Sequence, residues 1–285
     1  MTEIEKSLNE VFEKIKLNSI NIEFDNDNSR KLSIGTSKLG GKPDLPKNFE
    51  WYYFTGESQL TDEVANRPLS FLAQINCEEA KQYDIDSRLP KKGMLYFFYE
   101  LESMVWGFDP KDKGCAKAFY FNGDMSDLKR TDFPPDMQEE YKLPELKMNF
   151  FSKYNVPNFE EYDKNDNNDL WEEYDNFKEE MGYVQEEIST KLLGYSDNIQ
   201  GDMLLDCELV ANGLYCGDST GYESPEIKHH KKNSNRWKLL FQLDSVEKDD
   251  FELMFGDSGR IYFFIKEDDL KNSNFENVWL ILQCY

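Results

Sequence analysis

Residues 93–99 read GMLYFFY and residues 259–265 read GRIYFFI. Strands this apolar do not stay in water, because each large side chain buried is worth about 1.5–3 kcal/mol. One chain therefore carries two glycine-led strands that both need cover. The likeness extends to neighbouring segments. LSFLAQIN (69–76) is echoed by WKLLFQLD (237–244), which aligns Gln74 with Gln242 at an offset of 168 residues, close to the 166 that separate Gly93 from Gly259. A third strand follows in each half, AKAFYF (116–121) and NVWLILQ (277–283). Upstream, SKLGGKPD (37–44) is echoed by TKLLGYSD (190–197). Matches in the same order predict an internal duplication, with copies at about 31–122 and 190–285 joined by 123–189.

Neither copy can leave both faces of its sheet in solvent. The expectation is one compact α+β domain over 1–285, with mostly antiparallel sheets. The copies cover each other or join in one sheet about a pseudo-twofold axis. Two helices complete the outline. Ile4, Leu8, Val11, Phe12 and Ile15 form an amphipathic N-terminal stripe, with Thr2 and Glu5 at capping-box spacing. Leu170, Tyr174, Phe177, Met181, Val184 and Ile188 recur every three or four residues, which predicts a long linking helix within 158–190. SKLGGKPDLP reads as loop, the stretch from Lys191 to Tyr222 as loop followed by strand, and KHHKKNSN as a polar loop.

The formal net charge is −23, from 56 acidic and 33 basic side chains. A field of that sign repels nucleic-acid phosphates and anionic lipid heads, and it suits a basic protein or a neutral small molecule. No stretch approaches the roughly 20 apolar residues of a membrane span, and the acidic N-terminus has no signal-like apolar run. The five cysteines are odd in number and widely spaced, without a CxxC, which points to reduced thiols in the cytoplasm.

SKLGGKPDLP, RPLSFLAQIN, LPKKGMLYFFY with WGFDP after it, KLLGYSDNIQGDM, NGLYCGD and the closing FGDSGRIYFFIKEDDL with VWLILQCY together resemble the YwqG-like family. The resemblance spans about Lys31 to Tyr285. It implies a bacterial, cytoplasmic protein with much β-structure and undefined biochemistry, and it supplies no catalytic residue. Family members near toxin and immunity loci make an immunity-type role one version of the function. Leu193 and Ser196 stand where a second GGxP would repeat the first.

No metal or cofactor site emerges. Asp163, Asn165, Asn167 and Asp169 fall on EF-hand ligand positions, but Tyr174 occupies the place of the bidentate glutamate. Cys207, Cys216, His229 and His230 lack structural-zinc spacing. The only two histidines are adjacent, so a Cys–His or Ser–His pair has little support. The candidate ligand residues are the matched turn and strand positions Gly40, Gly41, Asp44 and Gln74 in one copy and Gly194, Asp197 and Gln242 in the other. Trp106, Asp109 and Asp257 lie near strand ends where the copies would meet. Glycine marks sharp turns or close approach, and a buried amide must find partners whether it serves packing or recognition. The reading is a non-enzymatic binding protein that holds a basic partner. The alternative is a small-molecule binder or hydrolase with its site at the junction of the copies.

Overall fold

A computed structural model describes residues 3–25, 31–58, 63–163, 170–183, 189–248 and 251–285. Its strands are β1 (Leu17–Phe24), β2 (Lys38–Leu39), β3 (Asp44–Pro46), β4 (Tyr53–Glu57), β5 (Val64–Pro68), β6 (Ser70–Asn76), β7 (Met94–Tyr99), β8 (Ala116–Phe121), β9 (Leu128–Arg130), β10 (Leu146–Asn155), β11 (Thr190–Leu192), β12 (Trp237–Asp244), β13 (Val246–Lys248), β14 (Phe251–Leu253), β15 (Arg260–Lys266) and β16 (Trp279–Gln283). The helices are α1 (Glu3–Ile15), α2 (Cys77–Ala80), α3 (Phe159–Tyr162), α4 (Trp171–Glu180), α5 (Leu204–Ala211), α6 (Ile227–Ser234) and α7 (Glu267–Lys271).

Ten strands make one sheet in the order β16-β15-β12-β11-β1-β10-β2-β6-β7-β8, with every neighbouring pair antiparallel. The fold is α+β, a large antiparallel sheet with seven helices among the described residues. β6 and β12 each carry an irregularity at a leucine, Leu72 and Leu240, where the register against β7 and β15 shifts. A bulge bends its strand and strengthens the local twist. The sheet curls until it nearly closes. Phe97 of β7 stacks on Phe241 of β12 at 4.4 Å and meets Phe263 of β15 edge-on at 5.1 Å. The main core lies inside that curl and draws Leu72, Leu95, Leu240 and Ile261 from both ends of the sheet.

Each outer strand is covered by a segment from the opposite end of the sheet. Leu282 N–H of β16 donates to the Trp106 carbonyl at 3.0 Å. Tyr120 of β8 meets the Phe275 ring at 5.4 Å. Edge backbone groups left bare invite pairing with other chains, so these covers protect the sheet.

The helices depart from expectation in three places. The linking helix is not continuous: α3 and α4 are separate, and α4 stops before Gly182, whose φ of 75° suits a helix terminus. Only the middle of the predicted seam is buried; Tyr174 and Phe177 pack on Phe12 of α1, while Leu170 and Met181 are exposed. Val184, Ile188 and Thr2 lie outside the described residues. Secondly, Leu204–Ala211 is helix α5 rather than loop or strand. It packs with Trp237, Tyr262 and Trp279 in a second core cluster, and its two acidic residues, Asp206 and Glu208, are buried as well and fall on opposite sides of the helix, so no amphipathic stripe shows in the sequence. Thirdly, the histidine-bearing stretch is helix α6, with His230 and Ser234 buried, instead of a polar loop. The glycine-rich stretch around Gly40 also contains the short strands β2 and β3.

Candidate functional site

The ten residues singled out in the sequence fall into separate places. The first is a closed polar knot under β6. Asp44 N–H donates to Gln74 Oε1 at 2.8 Å, and Gln74 Nε2 donates to Asp44 Oδ2 and to the Thr36 carbonyl, both at 2.8 Å. Arg130 Nε donates to Asp44 Oδ1 at 2.6 Å, and the Tyr96 hydroxyl donates to the Asp44 carbonyl at 2.5 Å. Gly40 enters this knot with φ 57° and its N–H on the Leu72 carbonyl at 2.7 Å, and Gly41 follows with φ 65°. A Cβ at Gly40 would sit 2.2 Å from the Pro144 oxygen, so only glycine fits.

The second place repeats these bonds under β12. Asp197 N–H donates to Gln242 Oε1 at 2.9 Å, and Gln242 Nε2 donates to Asp197 Oδ2 at 2.9 Å and to the Ser189 carbonyl at 2.7 Å. The Tyr262 hydroxyl donates to the Asp197 carbonyl at 2.7 Å. Leu193, at φ 60°, sends its N–H to the Leu240 carbonyl at 3.2 Å, and Gly194 follows at φ 74°. The cation differs: Lys191 Nζ lies 2.5 Å from Asp197 Oδ2, while Arg260 Nε donates to Asp244 at 2.7 Å. Burial pushes the Asp197 carboxyl up, but Lys191, Ser189 and Gln242 outweigh it and hold the group below its usual value. In both knots the glutamine amide is fully bonded from within the chain.

Trp106 and Asp109 lie elsewhere, in a cleft of about 970 Å³. One wall is β4 with Ser58, a second is the segment from Val105 to Asp112, and a third is Tyr215–Gly217. Asp257 is not in it; its carbonyl accepts the Tyr285 N–H at 3.0 Å beside β16. Phe54, Phe108, Asp112 and Tyr215 also line the cleft and were not apparent from sequence. Their only signal was an aromatic beside an acidic turn, WGFDP, and its partners lie far away in the chain.

The second wall is held rigidly. Gly107, at φ 85°, passes so close to β16 that a Cβ would lie 1.9 Å from the Leu280 oxygen. The Trp279 indole donates to the Gly107 carbonyl at 2.8 Å, and Cys216 N–H donates to the Phe108 carbonyl at 2.8 Å. Asp112 Oδ2 accepts from Gly107 N–H at 3.0 Å and Asp109 N–H at 3.2 Å, and Asp109 Oδ1 accepts from Lys111 N–H at 2.9 Å. Burial raises the Asp112 carboxyl to about 6 against those bonds. Burial also raises Cys216 to about 11.

Among the described residues no group of histidine, cysteine and carboxylate side chains could hold a metal ion. Asn165, Asn167 and Asp169 of the EF-hand-like stretch lie outside them. No helix among the described residues is long and apolar enough to cross a membrane.

Fold and site define an α+β protein with a nearly closed antiparallel sheet and an open cleft lined by aromatic and acidic side chains. The chain belongs to the family of the domain of unknown function DUF1963, which matches residues 37–284 and so takes in every wall of the cleft and both knots except Thr36. No curated protein matches it.

Proposed function

We propose that this chain is a non-enzymatic binding protein that holds a partner in the cleft where two duplicated halves meet. The observation that carries the reading is the contrast between the cleft and the knots. The cleft is open and roomy, whereas Gln74, Gln242, Asp44 and Asp197 are occupied with one another. Pockets of a few hundred to about 1,000 Å³ with a few convergent polar groups are where ligands bind. Duplication about a pseudo-twofold axis between β1 and β10 is supported by the strand order, which lists corresponding strands outward from that pair: β2 with β11, β6 with β12, β7 with β15, β8 with β16. The matched irregularities at Leu72 and Leu240 and the paired Gln–Asp–Tyr bonds support it further. On this reading the cleft takes β4 and Val105–Asp112 from the first copy and Tyr215–Gly217 from the second.

A binding role is favoured by the state of the thiols. Burial pushes Cys77 up to about 12 and Cys216 to about 11, and a thiol so placed is a poor nucleophile. Five free buried cysteines fit a reducing cytoplasm. The YwqG-like resemblance and an immunity-type role belong to the same reading. A second reading, a small-molecule binder or hydrolase at the same junction, draws on Asp112, whose carboxyl near 6 is in the range of a general acid or base.

The test is a soak of crystals of the whole chain in a mixture of neutral and charged fragments. Fragments seated against Trp106 and Tyr215, and lost in Trp106→Ala, support the proposal. Fragments that bind only elsewhere overturn it. Turnover of an ester or amide fragment, abolished by Asp112→Asn with binding retained, would favour the hydrolase.

A further inference from the structure

Resting on the cleft as the binding site, we propose that its occupant is an extended, arginine-bearing segment of a basic protein, with a guanidinium held between the Trp106 and Tyr215 side of the cleft and the carboxylates of Glu57 and Asp109.

The composition of the walls sets the charge of the occupant. Glu57, Asp109 and Asp112 face the cleft against one cation, Lys111. Trp106, Phe108 and Tyr215 supply aromatic surface, with Tyr215 43% exposed, while Phe54 is largely buried in the main core. Aromatic faces attract cations, arginine most often, and carboxylates bind the guanidinium fork in two parallel bonds. A net charge of −23 over the chain raises the local concentration of such a partner before contact. Anionic ligands meet the opposite field.

The shape of the first wall favours a peptide over a free small cation. A strand that presents a face to a cavity contributes alternate residues. Here Phe54, Thr55, Gly56, Glu57 and Ser58 line it together with Val64 of β5, so the end of the β4–β5 hairpin forms this wall as an extended length of backbone. Among the described residues β4 pairs only with β5, so its other edge has backbone groups to offer an added strand. Strand addition takes affinity from main-chain bonds and specificity from side-chain pockets, a division that fits this wall and the aromatic–acidic one beside it.

The probe is the peptide Ac-Ala-Arg-Ala-Arg-Ala-NH2, titrated into the full chain by calorimetry. Its controls are the same peptide with citrulline for arginine, which is isosteric and neutral, and arginine amide alone. The arginine peptide should bind at least tenfold tighter than either control. Asp109→Asn keeps the turn cap, since asparagine caps as well as aspartate; together with Glu57→Gln it should weaken the arginine peptide about tenfold and leave the citrulline peptide unchanged. Equal binding of the citrulline peptide overturns the cationic occupant while leaving the cleft as a site. Equal binding of arginine amide overturns the peptide. Binding of none of the three overturns the inference, and the fragment soak then decides whether the cleft itself stands.

Discussion

Gln74 and Asp44 bond to each other twice, backbone N–H to amide oxygen and amide nitrogen to carboxylate, both at 2.8 Å. Two residues 30 positions apart thereby fix where the glycine turn leaves β2 and enters β3. Gln242 and Asp197 do the same at 2.9 Å for the turn after β11.

Gln74→Leu leaves the Asp44 N–H and the Thr36 carbonyl without partners. Each unsatisfied buried group costs about 1–3 kcal/mol, so the variant should lose about 2–4 kcal/mol in urea unfolding. Gln242→Leu should lose a similar amount. Neither should change affinity at the cleft.

The glycines separate by what surrounds them. Gly40→Ala drives a Cβ to 2.2 Å from the Pro144 oxygen, whereas a Cβ at Gly114, also at positive φ, meets nothing within 4 Å. Gly114→Ala should cost about 1 kcal/mol for its left-handed backbone alone. Gly40→Ala should cost more than about 2 kcal/mol, because backbone as well as conformation resists. Melting temperatures of the two variants check the order.

Asp206 is buried on α5, and burial raises its carboxyl to about 6, with the Tyr222 hydroxyl bond opposing the shift. The folded state therefore binds this proton more readily than the unfolded chain. The stability linked to it is full below about 4 and is lost as pH rises through about 6. Asp206→Asn keeps an acceptor for Tyr222 without the charge. It should be more stable than the parent by up to about 3 kcal/mol at pH 7.5, and the gain should vanish near pH 4. Urea titrations at the two pH values check both sign and window.

Phe97 joins the facing parts of the curled sheet through Phe241 and Phe263. Phe97→Ala should cost about 3–5 kcal/mol. A double-mutant cycle with Phe241→Leu should show coupling of about 0.5–1.5 kcal/mol, the range for aromatic pairs in contact.

The most apolar strands were legible in the sequence because GMLYFFY and GRIYFFI are buried on both faces and bounded by glycine, whereas β10 in the linking segment and the short strands β2 to β5 were not. Burial nearly all round hid α5, where the two acids of LLDCELVA, Asp206 and Glu208, fall on opposite sides of the helix and mark no polar face. The linking helix was over-extended because spacing alone does not register a terminus at Gly182. At the candidate site, Trp106 and Asp109 were visible as turn residues, while Phe54 and Tyr215 reach the cleft through contacts between distant parts of the chain. The buried cations were equally hidden: Lys38 is fully covered because Glu145, 107 residues away, meets its ammonium.

β1 pairs with β10 and β11 in the middle of the sheet, although it precedes the family match that begins at residue 37. A chain shortened to that match would open a slot one strand wide at its centre, with two bare hydrogen-bonding ladders facing each other. Any β1 supplied from another molecule would fit it, so the truncated protein should accept a synthetic peptide of residues 17–24 or, lacking one, polymerise through the gap.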